Sequence, residues 1–169
     1  MKLGSLFTFT FALLAFCHTS QAAVTDGTVI NRDVMLPLVA WVSKATQTQI
    51  VNPPIATASG RILKTALGLE GAQQARSRAA YLPGQIIISN IIWDEDSVAA
   101  QSYIVHELVH HAQLLSGRDY PCNAAKEREA YTLQNKWLAE HGEQPLVTDE
   151  IITSLSSCPA GEKVAWNDQ

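Results

Sequence analysis

Ser102-Tyr103-Ile104-Val105-His106-Glu107-Leu108-Val109-His110-His111-Ala112-Gln113-Leu114-Leu115 carries two patterns at once. Ile104, Leu108 and Leu115 fall on one side of a helix with Val105, Val109 and Ala112 beside them, the stripe of a helix packed against a core. Tyr103, His106, His110 and Gln113, spaced by three and four, share a neighbouring face. Residues four apart on a helix stand one above the other, so His106 and His110 can turn both imidazoles toward one metal ion. Glu107 sits one step round, close to an ion's open position. Two imidazoles and a carboxylate on a largely buried helix are costly to desolvate unless paired or metal-bound. His-Glu-x-x-His therefore predicts two ligands of one Zn2+ (His106 and His110) and a general base (Glu107) within five residues.

The segments around it read as α+β. Gln85-Ile86-Ile87-Ile88-Ser89 is rich in β-branched residues, and with Ala79 to Leu82 across Pro83-Gly84 it predicts a hairpin. Asp94-Glu95-Asp96-Ser97 is an acidic start signal for the motif helix. Asp33 to Ser43 reads as a packing helix with Pro37 near its first turn, where proline is tolerated. Ile50 to Ala58, broken by Pro53 and Pro54, reads as an edge strand. Arg61 to Gly68 reads as a short helix ended by glycine, and Thr148 to Ser156 as a last helix. Together these predict a small, mostly antiparallel sheet beside the motif helix, with three or four further helices.

Catalytic zinc usually keeps three protein ligands, so a third donor is expected downstream. The extended pattern His-Glu-x-x-His-x-x-Gly-x-x-His fails, because Gln113 and Ser116 stand where its glycine and third histidine belong. His141 falls at a helix end, where histidine commonly caps the last carbonyls. Better donors lie in the amphipathic stretch Ala125 to Leu138. There Glu127 shares a face with Ala130, Tyr131, Gln134 and Leu138, whereas Glu129 lies with Thr132, Leu133, Lys136 and Trp137 on a mixed side.

His106-Glu107-Leu108-Val109-His110 followed by Glu127-Arg128-Glu129-Ala130 resembles the gluzincin branch of the zincin metallopeptidases, in which a second helix carries Glu-x-x-Ala. It is similar above all to small secreted bacterial His-Glu-x-x-His proteins grouped as a domain of unknown function. The resemblance covers roughly residues 50 to 140, and the first motif is its specific part. It implies a minimal zincin-like fold over 23–169, Glu127 as third zinc ligand with Glu129 as the alternative, and water-dependent cleavage of a peptide or protein. In the larger gluzincins an Asp commonly follows the Ala. Tyr131 stands there in this chain, which leaves the partner of the metal histidines open.

Residues 1–22 have the short positive start, the apolar run Leu6 to Phe16 and the small-x-small end Ser20-Gln21-Ala22 of a secretory signal peptide. That run is too short to span a bilayer, and bulky Phe16 argues against lipidation of Cys17. Cleavage would leave 147 residues with 11 cationic against 16 acidic side chains, a net charge of −5. A single acidic domain of that size has no electrostatic case for nucleic acid or anionic membranes. Cys122 and Cys158, the two cysteines then remaining, are expected to form a disulfide in the secreted or periplasmic space.

The expected activity is zinc-dependent hydrolysis of peptides, an unfolded protein segment or a peptidoglycan cross-link, with Tyr103, Tyr131 and His111 as candidates for steadying the oxyanion. The alternative is a non-catalytic secreted zinc-binding or protein-interaction domain, for which Glu107 would be superfluous. If the leader reading holds, protein exported from a bacterial host should begin at Ala23 by intact mass. A chain retaining Met1, or lipid on Cys17, would refute it.

Overall fold

Pro83-Gly84 forms the expected reversal, with Gly84 at φ +79°, a conformation that glycine reaches without steric cost. It joins strand β3 (Ala79–Leu82) to strand β4 (Gln85–Ile88), which pair antiparallel with Leu82 opposite Gln85. The computed structural model describes residues 24–68 and 78–160. The expected leader 1–22 with Cys17, and the tail with Trp166, lie outside the described residues.

Four strands form one sheet in the order β1-β2-β4-β3, where β1 is Thr28–Val29 and β2 is Ile55–Ala58. Two pairings are antiparallel, but β2 runs parallel to β4, so the sheet is mixed. The edge assignment of Ile50 to Ala58 is corrected: β2 is interior, flanked by β4 and capped on its other side by β1. Pro53 and Pro54 precede β2 and so cost the ladder no donor. A two-residue strand such as β1 carries no alternation, which is why pattern alone does not reveal it. β4 explains the isoleucine run. Ile86 and Ile88 enter the main core, Ile87 enters a smaller cluster with Leu63 and Ala80, and a strand covered on both faces reads as continuously apolar.

Helix α1 (Arg32–Thr46) places Met35, Leu38, Val39 and Val42 in the main core. Pro37 is its sixth residue, in the second turn rather than the first, on an exposed face where the carbonyl it leaves without a partner can reach water. Helix α2 (Gly60–Leu67) is capped by Ser59 and ended by Gly68, and it lays Leu63 on the opposite face of the sheet. Helix α3 (Val98–Ser116) carries the motif, starts on a Ser97 cap and ends at Gly117. Its Ile104, Val105, Leu108, Val109 and Ala112 are fully enclosed, whereas Leu115, expected on the same stripe, is 49% exposed because it lies in the last turn beyond the core.

Helix α4 (Ala125–Glu140) packs along α3 through Ala130 and Trp137 and ends at His141, whose Nδ1–H donates to the Trp137 carbonyl at 2.7 Å. Helix α5 (Asp149–Leu155) closes the described chain on a Thr148 cap. α4 has no side-chain cap at its start, and the disulfide holds that end instead. Cys122 and Cys158 are joined with their Cα atoms 5.6 Å apart, tying the entry of α4 to the exit of α5.

A cross-link separated by 36 residues removes chain entropy from the unfolded state worth about 3–4 kcal/mol. Reduction should lower unfolding stability by that order and loosen α4 first, seen as lost amide protection at residues 125–128. Two titratable thiols in the native oxidised protein would contradict the bridge.

Candidate metal centre

α3 and α4 lie side by side, and their facing turns bring three donors together. His106 Nε2 is 3.2 Å from Glu127 Oε2, His110 Nε2 is 3.3 Å from Glu127 Oε1, and the two Nε2 atoms are 3.2 Å apart. An ion held at about 2.0–2.1 Å by nitrogen and oxygen donors sets tetrahedral neighbours about 3.3 Å apart, the spacing of the two Nε2 atoms and of each Nε2 from one of the two Glu127 oxygens. The group can bind a metal ion, with its ligand atoms all within 4.8 Å of one another.

Helical spacing explains the convergence. His106 and His110 are one turn apart on the α3 face that meets α4, and Glu127 is in the first turn of α4, where its inward face begins. Burial pushes the Glu127 carboxyl up, but hydrogen bonds and charge from both histidines outweigh it and hold the group well below the usual carboxylate range. Burial pushes His110 down, yet Glu127 and Glu107 leave it raised. The Nδ1 atoms face neutral amides: Gln134 Oε1 lies 3.0 Å from His106, and Gln113 Oε1 lies 2.9 Å from His110. Tyr131 sets its ring edge-on to His106 at 4.5 Å between centroids.

Glu107 is 8% exposed and borders the cleft in front of the triad. Burial raises its pKa, opposed by the two histidines and by the nearby Tyr81 backbone N–H. The cleft holds about 570 Å³, with Tyr103 and Tyr131 on the helix side, Ala79 and Tyr81 of β3 opposite, and Leu146 and Val147 at one end. A second hollow of about 300 Å³ borders the far side of Glu107 and His110, between Pro83 and Lys126. β3 is an edge strand of the sheet. Because Ser89 N–H donates to the Arg78 carbonyl, the antiparallel alternation turns the backbone groups of Ala79 and Tyr81 toward the open edge.

Other expected site residues go elsewhere. Glu129 is bound by Arg118 at 2.8 and 2.9 Å and by the Tyr120 hydroxyl at 3.1 Å, and it does not join the triad. His111, a candidate for steadying the oxyanion, is buried and absent from the cleft wall; its Nδ1 meets the Tyr81 hydroxyl at 2.9 Å. Cys122 is in the expected disulfide with Cys158. Tyr81 was not marked by the sequence, since a strand tyrosine has no signature before the hairpin is placed against α3. Gln113 and Gln134 were visible only as polar residues on inward helix faces.

The chain belongs to the family described as a domain of unknown function, DUF6647, whose match spans residues 28–163 and so every strand and helix described above. No curated protein and no solved structure matches the chain.

Glu127→Ala should sharply reduce metal uptake by removing one of three converging donors, whereas Glu129→Ala, which leaves all three, should reduce it much less. Alanine preserves the helix in both variants. Metal content after dialysis against a weak chelator checks this, and equal losses would reverse the ranking.

Proposed function

We propose that this protein is a zinc-dependent hydrolase of peptide bonds, working in the secreted or periplasmic space. The observation that carries the reading is Glu107, a buried carboxylate that borders the same cleft as His106, His110 and Glu127 without being one of the three clustered donors. A domain that bound metal for stability alone would have no use for it there. Two histidines and one carboxylate suit zinc in a catalytic site, where a fourth position stays open. The ion held there would supply Lewis acidity, lowering the pKa of water toward about 7 and polarising a carbonyl.

The chain's own groups do the rest. The Glu107 carboxylate takes a proton from the attacking water and passes it to the leaving nitrogen, and its burial, which raises its pKa, favours holding that proton between the two events. The outward backbone groups of Ala79 and the Tyr81 carbonyl can pair with an extended peptide and lay one carbonyl across the triad. Tyr103 and Tyr131 both line the cleft and can donate hydroxyl protons to a developing oxyanion; His111, turned to Tyr81, does not line it. An oxidising compartment is supported by the disulfide, and among the described residues no helix is long and apolar enough to cross a membrane.

A peptide library should be cut by zinc-loaded protein and spared after chelation. Glu107→Gln keeps size while removing the proton acceptor, so metal content and fold should persist while turnover falls about 10²–10⁴-fold. Equal rates at matched metal content would remove Glu107 from the mechanism, and metal uptake with no cleavage of any library member would favour the binding-module alternative.

A further inference from the structure

We infer that Gln113 and Gln134 are positioning residues that lock His110 and His106 in the Nδ1–H tautomer, so that both Nε2 lone pairs face the metal position, and that Glu129 is the clamp on Gln113. This rests on the metal-site reading above. It gives a role to two buried amides and to the Glu129–Arg118–Tyr120 group, which the proposed chemistry does not otherwise use.

A glutamine amide can exchange the places of its oxygen and nitrogen, so its polarity is fixed only by what the other end meets. Gln113 Nε2 lies 3.0 Å from the Lys126 carbonyl and 3.1 Å from Glu129 Oε2. Both partners accept, so the NH2 group must be on that side. Its Oε1 is thereby aimed at His110 Nδ1, 2.9 Å away, and an oxygen there requires a proton on Nδ1. Glu129 cannot drift, because Arg118 Nη2 reaches both its oxygens and Tyr120 donates to one. The relay runs Arg118 and Tyr120 to Glu129, Glu129 to Gln113, and Gln113 to His110.

His106 is fixed by separate means. Ser102 Oγ donates its one proton to the Ala99 carbonyl at 2.7 Å, so toward Gln134 it can only accept. Gln134 Nε2 donates to it at 3.1 Å, which turns Oε1 to His106 Nδ1 at 3.0 Å. Gln113 and Gln134 are 2% and 1% exposed, so water does not compete for these bonds. With both Nδ1 atoms protonated, each neutral imidazole has a bare Nε2. The two Nε2 atoms and the Glu127 carboxylate converge within 3.2–3.3 Å, a cluster that shares protons while no metal is bound and offers three donors once those protons leave. Because both partners are neutral amides, Glu127 remains the one anionic donor of the cluster.

The test uses metal-stripped full-length protein with pH raised until the histidine spectra stop changing, because Glu127 and Glu107 hold His110 above the usual imidazole range. Long-range proton–nitrogen spectra should show His106 and His110 as Nδ1–H tautomers before any metal is added. Gln113→Met and Gln134→Met keep side-chain length but remove the acceptor, and each should weaken zinc binding about 10–100-fold in competition with a chromophoric chelator. Gln134→Glu restores an acceptor and should recover most of that loss. Glu129→Ala should disturb the tautomer of His110 and leave His106 unchanged. Nε2–H or mixed tautomers in the wild-type protein, or full affinity in folded Met variants, would overturn the inference. The wild-type spectrum decides it even if a variant fails to fold. Wild-type protein that shows the predicted tautomers yet takes up no metal would sink the metal reading instead.

Discussion

The contact between α3 and α4 is the constraint on which the centre depends. α3 alone offers two imidazoles and a carboxylate whose burial its own Gln113, at His110 Nδ1, offsets only in part. α4 answers with one charged group and one amide on a single face, Glu127 toward the Nε2 side and Gln134 toward Nδ1 of His106. Ala130, fully buried between them, keeps the two helices close enough for these short side chains to meet. The disulfide holds the start of α4, where Glu127 sits, without capping the helix.

The sheet contributes a wall and an orientation. Ile86 and Ile88 seat α3 on one face of β4 while Ile87 seats α2 on the other, so the β3 edge stands at a fixed distance across the cleft from the metal donors. The Tyr81 hydroxyl, joined to His111 on the turn that also carries His110, fastens β3 to α3. A helix that presents donors and a strand that presents main-chain groups are thus held by the same core, which is how a small domain makes a cleft without a second lobe.

Much of this was legible in the residues. His106, Glu107 and His110 declare themselves by spacing, the Pro83-Gly84 hairpin by its turn chemistry, and the start of α3 and the end of α2 by the acidic stretch closing on Ser97 and by Gly68. The misreadings were those in which local pattern meets a long-range partner. β2 carries the prolines of an edge strand ahead of it but is interior, because a two-residue strand too short to signal covers its flank. Leu115 continues the apolar stripe beyond the point where the core ends.

Local residue pattern was enough to show the chemistry on offer: two imidazoles and a carboxylate on one helix face, a pair of cysteines, and alternation enough for an α+β fold. Those are short-range properties, set by 3.6-residue and two-residue periodicities that need no knowledge of the partner. How the donors are completed depends on contacts between elements far apart in the chain. Glu127 and Glu129 are two residues apart with the same charge, and what separates them is that one faces the histidines of α3 while the other is held by Arg118, Tyr120 and Gln113. The same holds for the glutamines, since an amide has no direction until both of its ends meet fixed partners, and those come from Ser102 on one side and from Lys126 and Glu129 on the other.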